Sequence, residues 1–338
     1  DTGILVRTAA ARWLFDRTLR AAVTFLPGDT DTGVAQIDSL RLDEAATVRI
    51  ARDFYATFAD RVDAEAALLR QHHVRLVIAD APPLACAAAA AAGIPSIVIS
   101  NFTWDWIYEG YAGRFAAEAP DVLPTIRNAY AEASDGWRLP MGGGFQTFRS
   151  VVDLPFVARH ATRRQDEVLA ALDLPASRPL VLSSFGGYGV DGLDLDSLDC
   201  LDRWTVVLTG RSHPGHLPDG VAFVDERRLY DTGMRYEDLV AAVDVVATKP
   251  GYGIVSECIA NDTAILYTSR GRFPEYEVMV AEMPRYLRCT YIEQDALLGG
   301  RWRQRLEELA AKPKPAERPA TDGAEIVAGR LHAMTAGL

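Results

Sequence analysis

Two glycines flank a tyrosine in Lys249-Pro-Gly-Tyr-Gly-Ile-Val-Ser-Glu257, directly after the apolar run 239–247. A buried strand that ends in Gly251 and Gly253 lets the backbone approach a ligand closely. A helix opening behind it turns free N–H groups and its positive dipole end outward. A diphosphate fits that geometry. Glu257, just inside the helix, suits the paired hydroxyls of a ribose, because a carboxylate can accept from both. The same residues also fit a plain strand-to-helix turn in which the dipole stabilises Glu257.

Other candidates follow strands too, where open parallel sheets collect their ligands. A second glycine-rich loop, Ser183-Ser-Phe-Gly-Gly-Tyr-Gly189, contains Phe185, Gly186 and Gly187, and Leu208-Thr-Gly-Arg211 sets Arg211 where it could face a phosphate. In 268–277, Glu275 and Tyr276 could bond sugar hydroxyls or belong to a solvated loop. Asp80-Ala-Pro-Pro83 and Asn101-Phe-Thr-Trp-Asp-Trp-Ile-Tyr108 close two earlier strands. Asp80, Asn101 and Trp104 suit an acceptor sugar, with ring faces for stacking and polar groups for hydroxyls. Core packing of those aromatics is the rival reading. Asp105, beside this surface, is the candidate base for an acceptor hydroxyl. His213 and His216 flank a turn without further metal ligands, and no Ser-His-Asp set is discernible.

The elements that must carry these loops alternate. Short apolar runs at 4–7, 23–25, 76–79 and 96–99 precede a second series at 180–184, 205–208, 221–224, 243–247 and 264–267. Helical patterns lie between them, including one long helix over 43–72. This is the pattern of parallel sheets wrapped by helices, and it predicts an α/β protein of two Rossmann-like lobes with the active cleft between them. The stretch 136–144 reads as irregular. The expected domains are an N-terminal acceptor lobe, 1–162, a donor lobe, 163–315, and a proline-rich linker with a last helix, 316–338, returning towards the first lobe.

Composition agrees with two cores: 338 residues exceed the roughly 250–300 that one core usually serves. The net charge is −11 and the 35 basic residues, 32 of them arginine, form no run, which argues against a nucleic-acid partner. Four dispersed cysteines read as reduced core thiols, implying a cytoplasmic setting. No stretch is apolar enough for a transmembrane segment, and a strand-like 3–7 stands where a signal peptide would. Nothing in the sequence sets the oligomeric state.

Together, 249–257 and the 270–277 loop resemble the donor-binding half of family 28 type glycosyltransferases, which have the glycosyltransferase-B fold. Asp80 to Ala92, Asn101 to Tyr108, 249–261 and Leu297 to Trp302 are similar to the glycosyltransferase-like N-terminal half of plant L-arabinokinase and its stand-alone bacterial relatives. The resemblance spans nearly the whole chain. It implies that Gly251, Tyr252 and Gly253 meet the donor diphosphate, Glu257 the ribose, and Glu275 and Tyr276 the donor sugar. It also implies that Phe185 to Gly187 close over the phosphates and that backbone from Met234 to Tyr236 reads the base. The first strand of such a lobe and its Gly/His loop, which carries the usual base, are missing, so the expectation is a fragment or an enzyme without that base. No kinase half follows, so sugar kinase activity is not expected.

The resulting expectation is a glycosyltransferase, of hexosyl- or N-acetylhexosaminyltransferase type, moving a sugar from a UDP-type donor to an acceptor hydroxyl. It needs neither metal nor cofactor if amides and the helix end neutralise the leaving diphosphate; Asp194-Leu-Asp196 sits in an acidic connector. The alternative is a sugar-nucleotide binding or regulatory module without catalysis. An NAD-dependent oxidoreductase fits less well, since a third glycine and an acid about 20 residues on are lacking.

Overall fold

The computed structural model describes residues 3–19, 21–185, 192–213 and 215–335. In the first lobe β1 (Ile4–Thr8) pairs in parallel with β2 (Val23–Pro27) as a separate two-stranded sheet. A second parallel sheet contains β3 (Val77–Ala79), β4 (Ser96–Phe102), β5 (Asp135–Gly143) and β6 (Val151–Asp153), in that order. Among the described residues, β1 and β3 each keep one edge without a strand partner, and Ile4 and Ile78 on them are 47% and 50% exposed.

The second lobe has one six-stranded parallel sheet. Its strands are β7 (Leu180–Ser183), β8 (Thr205–Gly210), β9 (Val221–Asp225), β10 (Val245–Thr248), β11 (Ala264–Tyr267) and β12 (Cys289–Tyr291). The spatial order is β12-β11-β10-β7-β8-β9. Every residue of β10 and β11 is buried, as expected of central strands covered on both faces, and their near-continuous apolar sequence follows from it. The chain runs outward from β7 to β9 and then returns to lay β10 against the other side of β7. Connections therefore leave in opposite directions between β7 and β10, and a crevice opens at the carboxyl ends of those two strands.

Two expectations are corrected. The stretch 136–144 is not irregular but forms β5, pairing with β4 from Ile97↔Asp135 to Phe102↔Gly143. Its glycines are a packing requirement: a Cβ on Gly142 would lie 2.2 Å from the Asn101 carbonyl oxygen, and one on Gly143 would lie 2.3 Å from the Trp106 ring. The single helix expected over 43–72 is two, Glu44–Tyr55 and Phe58–Gln71. At the break the Thr57 hydroxyl donates to the Phe54 carbonyl at 3.3 Å, a local bond that competes with helix continuation. The short strands β6 and β12 carry too few residues to show a period.

The helix Gly323–Thr335 lies on the first lobe, where Ile326, Val327 and Leu331 pack against Ile97, Trp137, Leu139 and Leu154. The segment 36–42 runs the other way. Its end is tied by a bridge between Gln36 and Leu42, and Leu40 is 5% exposed within a core cluster of the second lobe. All four cysteines are buried and free.

Candidate functional site

At the β7–β10 crevice, the chain leaves Thr248 and runs through Lys249 and Pro250 to Gly251, the extended residue that opens the helix Tyr252–Ala260. No side chain caps this helix and no acid occupies its first turn, so its first N–H groups keep their capacity for an outside acceptor. A Cβ added to Gly251 or Gly253 would meet nothing within 4 Å. The corner is open, and both glycines present bare backbone to it.

The neighbouring side chains are less free. The Tyr252 hydroxyl accepts from the Val157 N–H at 3.1 Å and its ring stacks on Phe156, so this side chain faces the segment joining the lobes. Burial pushes its phenol up to about 12. Glu257 is 4% exposed, and its Oε1 accepts from Arg159 Nε at 2.6 Å; Arg159 Nη1 stands 3.8 Å from Glu237. Burial raises the Glu257 carboxyl, while the Arg159 charge and hydrogen bond pull it down again. The carboxylate meant for a ribose is thus already engaged by an arginine.

Around the end of β7, the Tyr236 hydroxyl bonds Ser184 Oγ at 2.6 Å, and the Phe185 carbonyl accepts from Ser39 Oγ at 2.7 Å. Met234 is buried in the second-lobe core. Gly186 and Gly187 lie outside the described residues. Arg211, just past the carboxyl end of β8, stands 4.2 Å over the Trp13 ring and 3.5 Å from Glu226, so it joins the lobes there.

The segment after β11 reaches into the first lobe. Phe273 is buried in the first-lobe core, and Tyr111 donates to the Arg272 carbonyl at 2.5 Å. Glu275 Oε1 accepts from Asn101 Nδ2 at 2.7 Å, which brings a donor-sugar candidate and an acceptor candidate together across the lobes. Glu275 Oε2 lies 3.5 Å from Arg270 Nη1. Burial holds the Glu275 carboxyl up, and Asn101 and Arg270 moderate it. Tyr276 is half-buried, its phenol pushed up to about 12 by burial.

In the first lobe Asp80 is exposed, yet the protein packed around it raises its carboxyl against a hydrogen bond from Ser100. Trp104 Nε1 donates to Asp31 Oδ2 at 3.1 Å. Burial raises Asp31, its bond to Trp104 lowers it, and the charge of Asp80 raises it further. Asp105 lies beneath, 4% exposed, 3.7 Å from Arg127 Nε, with Oδ1 unpartnered. Sequence reasoning missed Asp31, Arg159, Lys249 and Arg270. Only Lys249 carried a signal, as one of three lysines beside 32 arginines. Among the described residues no three His, Cys, Asp or Glu side chains converge as a metal set.

No family model matches the chain. It is 29% identical over 310 residues to L-arabinokinase of Arabidopsis thaliana, a match covering 91% of this chain and 29% of that protein. The chain thus spans under a third of the length of this curated relative. Among solved structures, CalG4, the calicheamicin glycosyltransferase, superposes with a TM-score of 0.59 at 15% identity, covering 92% of this chain and 83% of the other. The glycosyltransferase VinC, solved in complex with dTDP, gives 0.50 at 20% identity, covering 86% and 80%. The chain therefore has the two-lobed glycosyltransferase-B fold and is similar, over most of its length, to one portion of L-arabinokinase.

Proposed function

We propose that the chain binds a nucleotide-diphosphate sugar in the β7–β10 crevice and transfers the sugar to an acceptor hydroxyl held by the first lobe. The observation that carries this reading is the uncapped corner at Gly251 and Gly253, where an added Cβ would meet nothing within 4 Å. Amide donors and a helix dipole there face the space where a leaving diphosphate gathers charge, and they need no reorganisation as it forms. The complex of VinC with dTDP supports a nucleoside diphosphate as ligand. Uridine remains the base we favour. Glu257, freed from Arg159 by a small rotation, takes the ribose, and Glu275 and Tyr276 take the donor sugar.

For the acceptor proton, Asp80 is a better base than Asp105. It is exposed where Asp105 is buried, and the protein packed around it raises its carboxyl, which favours proton uptake. Asp31, Asn101 and Trp104 then orient the acceptor.

Thermal-shift titration with UDP, GDP, dTDP and ADP, then with their sugars, tests the binding half. One base giving a saturable rise in Tm, weakened in Glu257→Ala, is expected; no rise with any of them overturns the proposal. Release of nucleoside diphosphate dependent on an added acceptor tests transfer. Binding without release would favour the second reading, a non-catalytic sugar-nucleotide module. The Asn101–Glu275 hydrogen bond favours that reading, since it occupies two groups that transfer would employ.

A further inference from the structure

Lys249 leaves β10 two residues before Gly251, and among the described residues no carboxylate lies within ion-pair distance of its ammonium. Among the described residues it bonds the neutral Gln36 Oε1, at 3.4 Å. The other two lysines are committed elsewhere, Lys312 to the Cys289 carbonyl and Lys314 to Asp262. A half-buried ammonium without a direct ion pair is costly, and an anion seated beside it offsets that cost.

A second cation stands beside it. Arg270 is 8% exposed and donates through Nη1 to the Pro250 carbonyl at 3.3 Å, against the same turn that opens the helix. Its Nε is buried without a partner. Among the described residues Glu275 is the carboxylate in ion-pair contact with Arg270, and Asn101 shares it. In a chain of net charge −11, two cations thus stand at the turn 249–250 that leads into glycines with open space beside them.

We propose that Lys249 and Arg270 are the cationic side of an anion subsite, in which the Lys249 ammonium contacts the diphosphate group seated on the Gly251–Gly253 backbone. This rests on the proposed function and adds a binding residue with a removable charge. The groups that face Lys249 are Arg270, Asp38 and Glu275. Burial, then the Arg270 charge, bring its ammonium down to about 8, against the pull of Asp38 and Glu275. A bound dianion favours the charged form, so binding above that pH takes up a proton, and affinity falls as pH rises through it.

The test is calorimetric titration of the full chain with the nucleoside diphosphate that gives the largest thermal shift, and with inorganic pyrophosphate, at about pH 7 and about pH 9.5. For the unmodified chain the expected loss of affinity across this range is about ten- to thirty-fold, the fraction of a lysine of pKa about 8 that stays charged at the upper pH. Lys249→Arg keeps the charge and flattens the profile, and it also reports the ligand's own titration. Lys249→Met binds about tenfold or more weakly at the lower pH, again with a flat profile. Unfolding curves confirm that each variant is folded. A nucleoside diphosphate bound equally well by Lys249→Met, or a flat profile in the unmodified chain, overturns the subsite and leaves the proposed function standing. Pyrophosphate bound with the expected pH dependence, but no preference for any nucleoside, keeps the subsite and overturns the function. No binding of either ligand overturns both.

Discussion

Arg159 governs the state of Glu257 from 98 residues away, across the segment that joins the lobes. Removing the guanidinium by Arg159→Met leaves a buried carboxylate with Glu237 as its charged neighbour. Because Arg159 is half-exposed, the loss is expected to be about 2–3 kcal/mol, below that of a fully buried pair. It should also depend on pH. In the variant the folded carboxyl is raised above its unfolded value even more, so the folded state binds more protons. Stability is then retained below the unfolded value near 4.5 and lost as pH rises through the folded one. Urea denaturation at about pH 5 and about pH 7.5 should show the variant's deficit growing with pH, and an equal deficit at both would contradict it. The legibility of such groups in the sequence follows their range. Gly251 and Gly253 could be read because strand, turn and helix are contiguous. Arg159 and Asp31 could not, because only folding sets them beside Glu257 and Trp104.

Elements were legible where an apolar run was long enough to declare itself. The strands β7, β8, β10 and β11 stand within two residues of their expected positions, since β-branched runs buried on both faces leave few alternatives. β5 was hidden by its glycines, which normally signal a loop but here let the strand pass close to Asn101 and Trp106. Gly142→Ala should therefore cost about 2 kcal/mol or more, because backbone cannot yield as a side chain can. It should also displace Asn101 from Glu275, so that the variant loses lobe contact as well as stability. Hydrogen exchange at 98–102 and 272–276 would show both segments loosening together. The same reasoning applies to Gly323, whose added Cβ would lie 2.5 Å from the Pro155 carbonyl oxygen. Gly323→Ala should lower Tm and lift the terminal helix from Trp137.

At the scale of the whole molecule, the two-lobed arrangement followed from the doubled strand-helix alternation, whereas the contacts that close the lobes on each other did not. Leu40 and Phe273 each reach from one lobe into the core of the other. Neither shows a period, because an anchor set in a loop needs only one apolar residue. Leu40→Ala should cost about 2–4 kcal/mol, with faster exchange near Phe185, where Ser39 would lose its bond. The split sheet of the first lobe has a different outcome. Among the described residues the margins of β1 and β3, bearing Ile4 and Ile78, have no strand partner, and an extended segment laid there would be held by main-chain bonding. Concentrated solutions of residues 1–338 should accordingly scatter more light than those of the same residues carrying Ile78→Lys, with nucleotide affinity as it was; equal scattering would contradict the exposed margin.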